Sequence, residues 1–318
     1  MKTKIAIEKY FDHLRENKYS KHTLISYNIN IEHFLKVAPN KVEDISKETI
    51  KKFTVQLQKE PVSYKTKNNR LITVRNFLKY TSKEVELNYY WNNIELFSDR
   101  TDSGKINVPP EKIIHTFLET TVGKFNRAKG VLPNQQLISE TRSDAIVSTL
   151  YSTGLRLSEL VSLNRDDVFP TGLDLDSEEA EKIETVQITI IGKGSKARLV
   201  FINKKTLEII KKYLKLRKDK HEALFASINS STTRAKQRIV QKIVSHRVEL
   251  LQEAGKLPTG TLISPHTLRH AYATHLIASG ASLVAVMELM GHASITTTQR
   301  YLHLSNANLK REYDKVYG

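Results

Sequence analysis

Four stretches in the first hundred residues, IEKYFDHLRENK, SKHTLISYNINIEHFLKV, SKETIKKFTVQLQKE and YKTKNNRLITVRNFLKYTSKE, carry apolar side chains three and four positions apart with lysines between them. That spacing gathers the apolar positions on one side of a helix, and the short polar breaks predict about four helices in an all-α domain over residues 1–97. The periodicity is lost over 98–112, SDRTDSGKINVPPEK, where a glycine and a Pro-Pro pair predict a linker. From 113 to 318 the pattern is mixed. DAIVSTLYSTGLRLSELVSLNRDDV predicts two helices interrupted at Thr153-Gly154, ETVQITIIGKG and ARLVFIN predict two strands joined by the turn GKGSK, and helical spacing returns to the C-terminus. The chain is therefore expected to be mainly α with a small antiparallel β-sheet, a helical domain followed by an α+β domain. The acidic stretch 173–183, LDLDSEEAEKI, is expected to form a solvated loop facing away from any polyanion.

Charge narrows the class of partner. The 318 residues hold 50 Lys+Arg against 34 Asp+Glu, a formal charge of +16, which favours a polyanion, with nucleic acid the first expectation. Residues 1–100 carry 19 basic and 12 acidic side chains and the remainder 31 and 22, so both predicted domains are basic. A lysine-rich solvated surface would give the same totals. With no cysteine, disulfides, thiolate metal sites and thiol catalysis are excluded. The N-terminal MKTKIAIEKYFDHLRENKYS has no secretory apolar core, and no apolar run reaches the roughly 18 residues of a membrane span. A cytoplasmic protein is expected.

The densest cluster of chemically useful side chains is HTLRHAYATHL, residues 266–276. Ser264-Pro265 before it reads as an N-cap and a proline at the first helical position, so the cluster opens a helix. His266, Arg269 and His270 then share one face, while Leu268, Tyr272 and Leu276 turn to the core. His266 and His270 have the spacing of a helical zinc pair, but Thr267 stands where a metalloprotease has its glutamate, and Arg269 would repel a dication. An arginine and a histidine beside the free N–H groups of a helix start suit an anion, and a phosphate is the expected target. His275 is expected to be a hydrogen-bonded core residue.

Four motifs in register extend this reading. TGLRLSEL around Arg156, IGKGSKARLV around Lys193, SPHTLRH with His266 and Arg269, and LMGHASITTTQRYLHL with His292 and Tyr301 resemble the tyrosine site-specific recombinases, most closely their Xer-like and phage-integrase branch. The resemblance runs along nearly the whole chain. It implies a helical core-binding (SAM-like) DNA-binding domain at 1–97, a linker at 98–112 and a catalytic domain with a C-terminal tail at 113–318, closing as a C-shaped clamp on duplex DNA. It implies a catalytic set of Arg156, Lys193, His266, Arg269, His292 and the nucleophile Tyr301, with Glu159 bracing an active-site arginine. It further implies a metal-independent reaction without cofactor, a tetramer on two inverted-repeat sites, strand exchange through a Holliday junction, and a partner recombinase or septal DNA translocase. The role would be chromosome dimer resolution or integration and excision of a mobile element. Arg156 and Lys193 stand 37 positions apart, wider than in compact Xer-like members because of the acidic insertion.

The chemistry is consistent with those residue types. A covalent phosphotyrosyl link conserves the energy of the phosphodiester, and a phenol with a pKa near 10 is a better leaving group than a deoxyribose alcohol, so the link stays reversible. Two arginines hold the non-bridging oxygens, where charge grows in the transition state. His292 adds a donor, His266 takes the phenolic proton, and Lys193 protonates the departing 5′-oxygen. Taken alone, Arg156 has a second, less favoured reading as a helix cap or a partner of Glu159 three residues on. For DNA contacts, the basic segment 232–247 offers Arg234, Lys236, Arg238 and Lys242 to a major groove. A type IB topoisomerase and a non-enzymatic architectural DNA-binding protein are the alternatives.

Overall fold

A computed structural model describes residues 1–87, 91–98, 108–120, 133–192, 197–227 and 233–291, with side chains in the fourth stretch described from residue 136. The chain divides into two compact units, Met1–Ser103 and Gly104–Gly318.

The first unit is built from α1 (Thr3–Glu16), α2 (Lys21–Leu35), α3 (Lys47–Lys59) and α4 (Tyr64–Thr81). The last three start with the same device. Ser20, Ser46 and Ser63 accept the backbone N–H of Thr23, Thr49 and Thr66 at 3.1, 3.4 and 3.2 Å, which satisfies a donor that the helix itself leaves open. The apolar stripes then meet in one core: Tyr10 of α1, Phe34 of α2, Phe53 of α3 and Phe77 of α4 are all buried, with Phe34 and Phe53 edge to face at 5.3 Å. After α4 the chain returns to this core at Ile94, and Asn68 of α4 exchanges two hydrogen bonds with the backbone of Phe97, at 2.8 and 2.9 Å.

The second unit surrounds α6 (Pro133–Thr153). Ala145, Ile146, Val147 and Leu150 are all fully buried, so this helix is apolar on several sides, as a central helix must be. Against it pack α5 (Glu111–Glu119), α9 (Lys204–Leu216), α10 (Gln237–Glu253) and α11 (Pro265–Ala278), with α7 (Leu157–Ser162) and α12 (Leu283–Met290) completing the arrangement. α5 begins two residues inside the stretch read as linker, directly after the two prolines, because Pro110 supplies the extended N-cap. Strands β1 (Thr185–Ile191) and β2 (Ala197–Asn203) pair antiparallel from Thr185↔Asn203 to Ile191↔Ala197. Ile188, Ile190, Val200 and Ile202 face the core, and the alternate residues face out. The turn between the strands, residues 193–196, lies outside the described residues.

The acidic stretch departs from expectation. It contains the short helix α8 (Glu178–Glu181), whose Ala180 is buried, and Leu173, Leu175 and Ile183 pack on the main core. Three apolar side chains at its flanks anchor it, and its charged side chains are solvated.

Candidate active site

TGLRLSEL forms the joint between α6 and α7. Gly154 ends α6 in the left-handed region (φ 61°), and a Cβ there would lie 2.3 Å from the ring of Tyr272, so the residue is fixed both by backbone and by space. The reversal leaves Arg156 as the N-cap of α7, with Glu159 at its third position. The Glu159 carboxylate accepts the Arg156 backbone N–H at 2.6 Å and its guanidinium at 2.9 Å. The local pairing read from the sequence is thus present.

A second arginine reaches the same carboxylate. Arg198 of β2 donates through Nη1 to Glu159 Oε1 at 2.8 Å and through Nη2 to Oε2 at 2.6 Å, a two-pronged pair in which both side chains are more than nine-tenths buried. Burial pushes the Glu159 carboxyl up, and the Arg198 fork, the Arg156 amide and the Arg156 guanidinium overcome this and hold it at about 2. Arg198 was not singled out from the sequence. Its signal was legible there: it shares the inward face of β2 with Val200 and Ile202, and an inward arginine requires a buried acceptor.

Arg269 comes from α11, whose start is as expected: Ser264 accepts the Thr267 N–H at 3.1 Å and Pro265 follows it. The faces differ from expectation. His266 is exposed, whereas Arg269 is 6% exposed and turns inward with Leu268. Its guanidinium donates to the carbonyls of Gly154 and Met290. Arg156 Nη2 donates to the Gly291 carbonyl at 2.8 Å, and Arg198 Nε to the Leu289 carbonyl at 3.0 Å. Three consecutive carbonyls at the end of α12, of Leu289, Met290 and Gly291, thus each accept from a different arginine. A helix end leaves its last carbonyls open and carries partial negative charge, which is what draws three cations there. Gly291, again left-handed at φ 61°, lets Arg198 lie directly on its backbone: a Cβ would meet Arg198 Cδ at 2.8 Å. Arg156 is the most open of the three, with 35% of its side chain exposed against 8% for Arg198. Two guanidiniums on one carboxylate, with a third on the adjoining helix end, leave a net positive site.

Arg156, Glu159 and Arg269 are therefore brought together, and His266 stands one turn before Arg269 on the same helix. Lys193, His292 and Tyr301 lie outside the described residues. One expectation is corrected, and one predicted DNA-contact side chain is already engaged within the fold. His275 is not a core residue: its side chain is 43% exposed and its Nδ1 lies 3.0 Å from Glu111 Oε1, a partner supplied by α5. Arg234 is not an open donor: its guanidinium closes the end of α7, donating to the carbonyls of Val161, Ser162 and Leu163 at 3.1, 2.9 and 2.9 Å, and to Asn164 and Glu222. Lys236, Arg238 and Lys242 are exposed, at the start and along the outer side of α10. Among the described residues no cluster of His, Asp and Glu could hold a metal ion, and no helix is long and apolar enough to cross a membrane.

Comparison with known proteins places this arrangement. Residues 132–308 match the phage integrase family, and residues 7–84 match the phage integrase N-terminal SAM-like domain. The chain is 31% identical to tyrosine recombinase XerC of Thermodesulfovibrio yellowstonii, over 99% of this chain and 97% of the relative. It is 30% identical to tyrosine recombinase XerD of Oceanobacillus iheyensis, over 98% of each. Among solved structures it is similar to the XerH site-specific recombinase bound to palindromic difH substrate (TM-score 0.68, 23% identity, 98% of this chain and 84% of the other). It is equally similar to the Tn1549 transposon integrase in complex with transposon right end DNA (TM-score 0.68, 17% identity, 98% and 100%). These structures share the mainly helical fold with its small antiparallel sheet. With its N-terminal helices, its joint at Arg156 and its α11 start each falling within the matched regions, the chain belongs to the phage integrase family and is a tyrosine recombinase of the Xer type.

Proposed function

We propose that this protein is a site-specific DNA recombinase that cuts and rejoins duplex DNA through a 3′-phosphotyrosyl intermediate. The observation that carries the reading is the convergence of Arg156 and Arg269, from two distant segments, on adjacent carbonyls at the end of α12, ten residues before Tyr301. In the proposed step the Tyr301 phenolic oxygen attacks the scissile phosphorus and its proton passes to His266. The bond from phosphorus to the 5′-oxygen breaks, and that oxygen leaves as a hydroxyl with a proton from Lys193. Arg156, Arg269 and His292 hold the non-bridging oxygens, where preorganised donors typically supply the largest part of the acceleration. Attack by the 5′-hydroxyl of a partner strand reverses the step and joins new ends. Four copies on two inverted-repeat sites make two such exchanges through a Holliday junction, with the first unit and the exposed side of α10 contacting DNA. Full-length similarity to relatives named XerC and XerD favours chromosome dimer resolution over mobile-element movement.

The test is to incubate the full chain with fragments of its source genome, quench with detergent and sequence the protein-linked ends. Ends confined to a small set of inverted repeats are expected, and their neighbourhood separates a chromosomal site from a mobile element. Binding without any adduct, on nicked substrates as well, would leave a DNA-binding protein without the proposed chemistry.

A further inference from the structure

The proposed chemistry assigns no task to Arg198, yet this residue is buried in the site and donates to both Glu159 and the Leu289 carbonyl. It contacts Glu159 with both prongs, reaches the Leu289 carbonyl through Nε, and lies flat on Gly291. We infer that Arg198 is a positioning residue for cleavage, one that neutralises Glu159 and fixes the end of α12 so that Arg156 presents an uncompensated positive charge to the scissile phosphate. The inference rests on the recombinase reading above.

The charge count carries the argument. Glu159 and Arg156 alone would form a neutral pair, and a guanidinium already balanced by a carboxylate at 2.9 Å has little net charge to offer a phosphate. Arg198 supplies the missing cation. It satisfies both carboxylate oxygens, and because it is buried while Arg156 is partly exposed, the surplus charge is directed outward on Arg156. The second link is mechanical. Arg198, Arg269 and Arg156 hold three successive carbonyls, so the point from which the chain runs on to His292 and Tyr301 is fixed relative to both phosphate-binding arginines. A residue whose only task was to hold the fold would stabilise the protein without regard to the charge on the substrate.

That difference sets the test. Single-turnover cleavage by the full chain is measured on a duplex carrying the site recovered from wild-type trapping. One substrate has the natural phosphate, and a second has a methylphosphonate at the scissile position, which removes the charge that Arg156 and Arg269 must neutralise. With Arg198→Met, cleavage of the phosphate substrate is expected to fall about 100-fold, the size of losing one aimed donor, while cleavage of the methylphosphonate falls less than about fivefold. Arg198→Lys, which keeps the charge and loses the fork, is expected to stay within about tenfold of wild type on phosphate. Adding Glu159→Gln to Arg198→Met restores the charge balance and is expected to recover part of the loss, so the two substitutions combine non-additively. Thermal unfolding of each variant checks that it folds. Equal loss on both substrates, or additive losses in the double variant, would overturn the inference and make Arg198 a purely structural residue. No adduct from the wild-type protein would overturn the recombinase reading itself, and the inference with it.

Discussion

Both oxygens of the Glu159 carboxylate face guanidinium groups, and the Arg156 amide adds a further donor, so this side chain is ionised far below the ordinary carboxylate range, at about 2. A carboxyl whose folded value is depressed stabilises the protein fully above its unfolded value of 4.5, and that contribution is lost as pH falls from there towards 2. Glu159→Gln is expected to cost about 3 kcal/mol near neutrality, since the buried Arg198 guanidinium and the half-buried Arg156 guanidinium lose their counter-charge. In urea unfolding the gap between wild type and variant should narrow between pH 4.5 and 2, and a gap constant over that range would show that the carboxylate charge is not what stabilises the joint. Gly154 gives a second expectation at this scale. An alanine there has to accept a left-handed backbone and displace the Tyr272 ring, whose atoms stand 2.3 and 2.7 Å from the added Cβ. Gly154→Ala is expected to lower stability by about 2–4 kcal/mol and to cut cleavage, because the Gly154 carbonyl is a partner of Arg269. Unfolding within about 0.5 kcal/mol of wild type would contradict it.

At the level of elements, arginines repeatedly close helix ends: three at the end of α12, Arg234 at α7, and Arg247, which is 1% exposed, at α5, where it donates to the Phe117, Leu118 and Thr120 carbonyls. Helix starts were legible in sequence because a Ser three positions before a Thr is a local signal, and it recurs before α2, α3, α4 and α11. Helix ends were not, because the acceptor is a backbone carbonyl that any residue supplies and the donor comes from far along the chain. The engagement of Arg234 was hidden for that reason, since counting basic residues in 232–247 does not show that Val161, Ser162 and Leu163 lie against one of them. His275 was misread likewise, because Glu111 belongs to another helix. The segment 232–247 therefore holds two kinds of basic residue. Lys236→Ala, Arg238→Ala and Lys242→Ala are each expected to weaken DNA binding and lower the slope of affinity against salt by about one ion, with stability unchanged. Arg234→Ala is expected instead to lower stability by about 2 kcal/mol, leaving its open carbonyls without partners. Fluorescence anisotropy at several salt concentrations, alongside urea unfolding, distinguishes these; a salt slope that moves only with Arg234 would reverse the assignment.

For the whole molecule, the mainly helical class and the two strands followed from periodicity, and the family match covers both units. The excess of positive charge in both halves of the chain suits a partner whose backbone is long enough to meet both. What the pattern of apolar residues did not reveal is the charge economy of the site. Three arginines from α11, β2 and the α6–α7 joint meet one acid and one helix end, and only the folded chain brings these segments within hydrogen-bond distance. The central claim is that Tyr301 becomes covalently joined to DNA. Its most direct test is to digest the trapped protein–DNA adduct with protease and nuclease and to identify the nucleotide-bearing peptide by mass spectrometry. The account predicts a 3′-phosphate-linked nucleotide on the peptide containing Tyr301, and no adduct from Tyr301→Phe. A nucleotide on Tyr313 or Tyr317, or an adduct that survives Tyr301→Phe, would contradict it.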